Sequence, residues 1–283
     1  MDKVVVLGAG TMGRGIAQVS ALAGYQTVLS DISPDVLQAG IDGIQDFLAK
    51  GIARGKTTEE QRDQCMANLR WTVDLPEAVV GADLVVEAVP ENMALKKRIF
   101  ADLNERTPAQ AILATNTSSL SVDEIAQASG RPAQVIGAHF FNPVPINKLL
   151  EIVRGAATSD ETLAGLKAFG ERIGKTCIVV KNSPGFASSR LGIVMALEAM
   201  RMVEQGVASA ADIDTAMELG YRLPMGPLRL TDLVGLDVRL AIAESIHGAT
   251  GSPVFQVPQL LRDLVAAGKL GRKSGAGFYD YES

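Results

Sequence analysis

Two cysteines and two histidines in 283 residues leave little material for a metal centre or a disulfide framework. Cys65 and Cys177 stand far apart with no CxxC spacing. That excludes a zinc ribbon and a stapled secreted fold, and it fits a reducing compartment. No apolar run approaches the ~18 residues of a membrane span. The first one, Val4–Leu7, follows Met1-Asp-Lys and is too short for a signal-peptide core. A cytoplasmic location with no membrane attachment is the expectation. Charge of neither sign dominates: 27 Lys and Arg face 32 Asp and Glu, and a net charge of −5 argues against a general nucleic-acid binder. Repeats and low-complexity segments are also missing. What is present, 47% hydrophobic and 21% charged residues, is the composition of a folded protein long enough for two domains.

The chain opens on a pattern with a specific physical meaning. Val4–Leu7 is apolar on both faces, as a strand of a buried parallel sheet must be. Gly8-Ala-Gly10-Thr11-Met12-Gly13 follows at once, then a helical stretch from Arg14 to Ala23 and a second strand, Gln26–Ser30, ending at Asp31. This strand, glycine loop, helix, strand, acid order is what a dinucleotide site requires. Gly8 permits the tight turn, Gly10 lets the backbone approach a pyrophosphate, and Gly13 lets helix and strand pack closely. The helix N-terminus offers unpaired N–H groups to the phosphates. A carboxylate at Asp31 accepts both hydroxyls of an adenine ribose and repels a 2′-phosphate, which favours NAD over NADP.

Alternation of strands and helices continues to about Lys181. Ser33 and Pro34 cap a long helix running to about Arg54, with Lys50, Arg54 and Lys56 at its C-terminal end, where cations suit the helix dipole without any further role. Asp83–Val89 and Ala111–Thr115 read as further strands, with Glu91 and Asn116–Ser119 just beyond their ends, where open α/β sheets place ligands. Ser121 and Glu124 match a capping box. Past Lys181-Asn-Ser-Pro-Gly185 only helices are expected: about 188–205, 210–219, 230–247 and 256–267. This change of class divides the chain into residues 1–183 and 184–283. Leu191, Val194, Met195, Leu197, Met202 and Val203 give the first of these helices an apolar face broad enough for a subunit interface.

His139 and Glu151 bracket Pro143 and Pro145, which rule out a continuous helix. A histidine at the end of a buried strand, with a carboxylate returned beside it, is a general-base arrangement. Histidine titrates near pH ~6.5 and so moves protons in either direction at neutral pH. His247, at the end of a helix, needs no catalytic explanation.

With these residues in hand, the chain resembles the short-chain L-3-hydroxyacyl-CoA dehydrogenase family, in particular its bacterial 3-hydroxybutyryl-CoA members. The resemblance runs end to end: GAGTMG at Gly8–Gly13, VVEAVPEN at Val85–Asn92, TNTSSLS at Thr115–Ser121, HFFNPVP at His139–Pro145, Pro184-Gly-Phe, Gly226-Pro-Leu, and the tail from Leu270 to Tyr279. It implies an α/β fold with a Rossmann-like N-terminal domain and a mainly parallel sheet, an all-α C-terminal domain for substrate binding and homodimer formation, and NAD as cofactor. It also implies His139 as catalytic base, Glu151 as its acid partner and Ser118 as a substrate and cofactor contact. Further cofactor contacts fall on the glycine loop including Thr11 and Met12, on Asp31, Glu91, Lys96, Asn142 and Lys273. A lysine that holds the CoA moiety falls on Arg54, with Lys50 and Lys56 nearby. One departure concerns the segment Pro184–Arg190: the family commonly has an asparagine where this chain has Ser189, a shorter side chain without the two amide donors. The expected reaction is hydride transfer between C3 of an (S)-3-hydroxyacyl-CoA and NAD. A dehydrogenase of a free 3-hydroxy acid and a non-catalytic NAD-binding protein are the alternatives.

Overall fold

The computed structural model describes residues 1–281 and divides the chain into two compact units, Met1–Ser183 and a second beginning at Pro184. In the first, β1 (Lys3–Leu7) leads through α1 (Thr11–Leu22) to β2 (Gln26–Ser30). Next come α2 (Pro34–Ala53), α3 (Glu59–Asn68), β3 (Leu69–Thr72), α4 (Leu75–Val79) and β4 (Leu84–Glu87). The unit continues with α5 (Met93–Arg106), β5 (Ile112–Thr115), α6 (Val122–Ala128), β6 (Val135–Phe140), β7 (Leu149–Arg154), α7 (Asp160–Arg172) and β8 (Thr176–Lys181).

These strands form one eight-stranded sheet in the order β3-β2-β1-β4-β5-β6-β7-β8. Pairing is parallel throughout except between β6 and β7, which run antiparallel with His139 directly opposite Glu151. Residues Val4–Val6, all of β4 and all of β5 are buried, as expected for strands covered by helices on both faces. The strand order turns between β1 and β4, so the C-terminal ends of β1, β4, β5 and β6 share one rim. Ser33 and Pro34 start α2 as the sequence suggests, the Ser33 hydroxyl accepting from the Val36 amide at 3.3 Å.

Two elements were not anticipated and one expectation needs correction. α3 and β3 went unread, because α3 is polar on nearly every face and buries only Cys65, while β3 is a short edge strand with two exposed residues. The full capping box sits there, between Thr58 and Gln61. At Ser121 only half of one forms: its hydroxyl accepts from the Glu124 amide, but the Glu124 carboxylate is taken by Lys97 at 2.6 Å.

The second unit is helical: α8 (Ser188–Glu204), α9 (Ala210–Thr215), α10 (Pro227–Val234), α11 (Leu236–Thr250) and α12 (Gln259–Ala266). The single helix expected over residues 230–247 is two, broken at Gly235, whose φ of 107° no side-chain-bearing residue adopts readily. Their core gathers Ile193, Leu197, Met200, Leu228, Leu236 and Phe255. Of the apolar residues singled out on α8, Leu197 is buried, Val194, Met202 and Val203 pack partly against this core, and Leu191 is exposed. Two buried aspartates tie down the C-terminal segment. Asp232 accepts from the amides of Phe278 and Tyr279 and from the Tyr281 hydroxyl, and Asp214 accepts from the Tyr279 hydroxyl at 2.6 Å. These bonds give the Gly-Phe-Tyr tail a structural explanation.

Candidate active site

The glycine loop turns tightly between β1 and α1. Gly8 has φ 96°, and a Cβ there would lie 2.8 Å from the Ala88 carbonyl oxygen. A Cβ at Gly13 would overlap the carbonyl oxygen of Gly8, so helix and loop touch backbone to backbone. Nothing lies within 4 Å of the Cβ position of Gly10, and no side chain caps the helix it precedes. Open space above uncapped N–H groups is the environment a pyrophosphate needs. Asp31 closes the far side: one carboxylate oxygen accepts from the Ala9 amide at 2.8 Å and the other from the Ser33 amide at 3.0 Å. The acid therefore fixes the loop itself and still has lone pairs to offer a ribose.

The ends of β4 and β5 carry a network that sequence reading identified only in part. Glu87, fully buried, accepts from the Val89 amide at 2.8 Å, the Thr115 hydroxyl at 2.8 Å and the Lys96 ammonium at 2.6 Å. Lys96 is equally buried and also reaches the Val89 carbonyl and Glu91, each at 3.4 Å. Three oxygens thus surround its three donors, and what it presents to the rim is the position of Glu91. Glu91 in turn accepts from the Thr117 hydroxyl at 2.6 Å and from the Ser118 amide at 2.9 Å, and it lies 3.3 Å from the Ser118 hydroxyl. Ser118 is held in place by this carboxylate. Asn116 extends the bracing sideways, its side-chain oxygen accepting from the Phe140 amide at 2.9 Å, one residue past His139.

Antiparallel pairing of β6 with β7 brings the only strand histidine against the only acid on β7. His139 Nδ1 lies 2.8 Å from Glu151 Oε2, both groups buried, and the Phe141 ring sits 4.4 Å from the imidazole. A carboxylate on Nδ1 fixes the tautomer and directs Nε2 to any proton transfer. Beyond Phe141, the Asn142–Pro143 peptide is cis, and Val144 packs where a Cβ on Gly15 of α1 would otherwise lie. Thr11, Arg14, Gln18, Phe47 and Asn142 line a pocket between α1, α2 and this loop. Lys175 anchors the loop from beneath, its ammonium donating to the carbonyls of Val144 and, at 2.6 Å, Asn147. Burial, with Lys148 nearby, pushes the Lys175 ammonium down to about 8.

Residues 3–183 match the NAD binding domain of 3-hydroxyacyl-CoA dehydrogenase, and residues 185–281 match its C-terminal domain. The chain belongs to the 3-hydroxyacyl-CoA dehydrogenase family. It is an NAD-dependent oxidoreductase, and the glycine loop fits that cofactor. Among its relatives is a probable 3-hydroxybutyryl-CoA dehydrogenase of Bacillus subtilis, 45% identical over 282 residues, covering 100% of this chain and 98% of the other. A 3-hydroxyadipyl-CoA dehydrogenase of Escherichia coli is 42% identical over 284 residues, covering 100% of this chain and 60% of its own length. The crystal structure of (S)-3-hydroxybutyryl-CoA dehydrogenase from Ralstonia eutropha superposes with a TM-score of 0.96 at 39% identity, covering 100% of both chains.

Not every residue implied by the family resemblance falls in the first unit's rim. Lys50, Arg54 and Lys56 are exposed at the end of α2. That helix is 20 residues long, which puts them about 30 Å from its start at the rim. Ser189 and Lys273 belong to the second unit: Ser189 is partly buried in the first turn of α8, and Lys273 pairs with both oxygens of Asp237 at 2.6 and 2.7 Å. Glu87 and Lys175 were missed, and Asn116 and Thr117 were placed at the rim only as part of the Asn116–Ser119 group. Glu87 had a readable signal, a charge inside an apolar strand. Among the described residues no cluster of His, Cys, Asp or Glu could hold a metal ion, and no helix is long and apolar enough to cross a membrane.

Proposed function

We propose that this dehydrogenase interconverts (S)-3-hydroxyacyl-CoA and 3-ketoacyl-CoA, with 3-hydroxybutyryl-CoA and acetoacetyl-CoA as substrates, through His139 and Glu151. The supporting observation is the cross-strand pair itself, a buried imidazole with Nδ1 on a buried carboxylate at the rim that also carries the glycine loop. Bound NAD supplies the hydride acceptor. His139 Nε2 takes the proton of the C3 hydroxyl as the C3–H bond breaks, and in reverse returns it to the forming alkoxide. Glu151 keeps the Nδ1–H oriented and stabilises the imidazolium that forms. Ser118, held by Glu91, hydrogen-bonds the reacting oxygen.

The remaining assignments follow the same reading. The glycine loop with Thr11 and Met12 holds the pyrophosphate, Asp31 the adenine ribose, and Glu91, Asn142 and Lys273 the rest of the cofactor. Lys96 contributes by fixing Glu91. Lys50, Arg54 and Lys56 receive the phosphates of CoA, and Ser189 contacts the substrate through a hydroxyl, which is shorter than an amide. Residues 1–183 form the NAD-binding domain, and residues from 184 onward form the substrate domain, which also builds a homodimer. Two free thiols, with Cys65 pushed up to about 11 by burial, suit a reducing cytoplasm. The test is NADH consumption with acetoacetyl-CoA, longer 3-ketoacyl-CoA thioesters and free acetoacetate. Turnover of the thioesters alone is expected; turnover of the free acid alone would replace this assignment with a 3-hydroxy acid dehydrogenase.

A further inference from the structure

Lys175 stands where a lysine is costly. It is only 8% exposed, and the two influences on its charge, burial first and Lys148 second, both disfavour the ammonium. Lys96, the other buried lysine of the first unit, has the Glu87 carboxylate at 2.6 Å. Lys175 gives its hydrogen bonds instead to two neutral carbonyls, those of Val144 and Asn147. A buried charge spent on neutral acceptors invites the question of what the acceptors gain.

Both ends of the contact are fixed. The Lys175 amide donates to the Gly170 carbonyl in the last turn of α7 at 2.9 Å, and the next amide, of Thr176, donates to the Lys148 carbonyl at 2.7 Å. The loop from 141 to 148, between β6 and β7, closes on itself: the amides of Ile146 and Asn147 both donate to the Pro143 carbonyl. The same loop meets α1. A Cβ on Gly15 would lie 2.9 Å from Cβ of Val144 and 3.5 Å from Cδ of Pro145, so the loop fills the space a helix side chain would take. Glycine is a poor helix former, and here its missing side chain is what admits the loop. Thr11 and Arg14 of α1 and Asn142 of the loop line one pocket. Where Asn142 stands relative to the glycine-loop helix therefore depends on how the loop is seated.

We propose that Lys175 is a positioning residue for the cofactor: its ammonium seats the β6–β7 loop against Gly15 and so fixes Asn142 where NAD binds. This rests on the reading above that gives Asn142 a cofactor contact. Fluorescence titration of the full chain with NADH tests it, alongside steady-state NADH consumption with acetoacetyl-CoA. Lys175→Met keeps the apolar stem and removes the donors. It should weaken NADH binding by roughly 3- to 10-fold, the range of one neutral hydrogen bond, and raise the KM for NADH alike, with kcat at saturating NADH little changed. Gly15→Ala attacks the same seat from α1 with Lys175 intact, so it should weaken NADH binding even where the Met variant folds poorly. Combined in one chain, the two changes should cost little more than the larger one alone, because both unseat a single loop. A folded Lys175→Met or Gly15→Ala variant with unchanged NADH binding overturns the proposal. So does full additivity of the two, or a loss of kcat with NADH binding intact. Asn142→Ala separates the two readings. Unchanged NADH binding in that variant would remove the cofactor contact itself, whereas weakened binding there but not in Lys175→Met would remove only the positioning role.

Discussion

Glu87 and Glu151 are both fully buried carboxylates near the C-terminal rim of one sheet, and they face different partners. Glu87 faces a lysine, a threonine hydroxyl and a backbone amide. The Lys96 ammonium bonded to it also reaches Glu91, so the pair braces Glu91 and, through it, Ser118. Glu151 faces an imidazole, the one side chain whose ordinary titration falls near neutral pH. The same acid type braces a lysine in one place and, on the proposed mechanism, orients a proton-carrying imidazole in the other, because its partner differs.

Exchanging the two partners' fates is the strongest way to break this comparison. His139→Gln should lower kcat by on the order of 10²–10⁴ while NADH binding, followed by fluorescence titration, survives. Near-normal turnover would take His139 out of the mechanism. Lys96→Met should do the reverse, costing about 3–5 kcal/mol in urea denaturation because Glu87 is left buried and unpaired; an unchanged midpoint would make the brace dispensable. Asp31→Asn keeps acceptor capacity toward the Ala9 amide while removing the charge. It should narrow the preference for NAD over NADP by roughly 10-fold, the scale of one charge-assisted hydrogen bond, and an unchanged ratio would point to another determinant.

Lys175 gives the smallest effect, and its sign is fixed. Its pKa falls from 10.5 to about 8 on folding. Between those values the unfolded chain binds more protons than the native one, so stability rises with pH there. Below about pH 8 both states are protonated and the full desolvation cost is present. Lys175→Met should flatten the rise in denaturation midpoint between pH 8 and 10.5; an undiminished slope would assign it to another group.

Much of this was legible in the residues. Glycine spacing, apolar strands and the final acid fixed the dinucleotide half, because each reflects a local requirement of backbone conformation or burial. His139 and Glu151 were readable as a candidate pair from the strands on either side of Pro143 and Pro145, and the resemblance supplied their roles. The long-range bracing was not readable. Nothing near Lys96 in sequence reveals that its ammonium is spent on Glu87, nine residues earlier on another element. The resemblance placed Lys96 at the cofactor, and the structure shows every donor already engaged. α3 escaped because helix recognition depends on an apolar stripe, and this helix has almost none. The break at Gly235 was lost inside a continuous apolar pattern that two helices share.

The reversal of direction between β6 and β7 carries one more consequence. Ala138, Phe140, Leu150 and Ile152 enter the hydrophobic core from the same pairing that sets His139 opposite Glu151. Slipping β7 by a single residue would turn its side chains to the other face, taking apolar groups out of the core and Glu151 away from His139 together. If the pair acts as proposed, a misassembled molecule therefore has no half-competent site. Specific activity after refolding should accordingly count native molecules one by one, making the enzyme its own gauge of correct strand register.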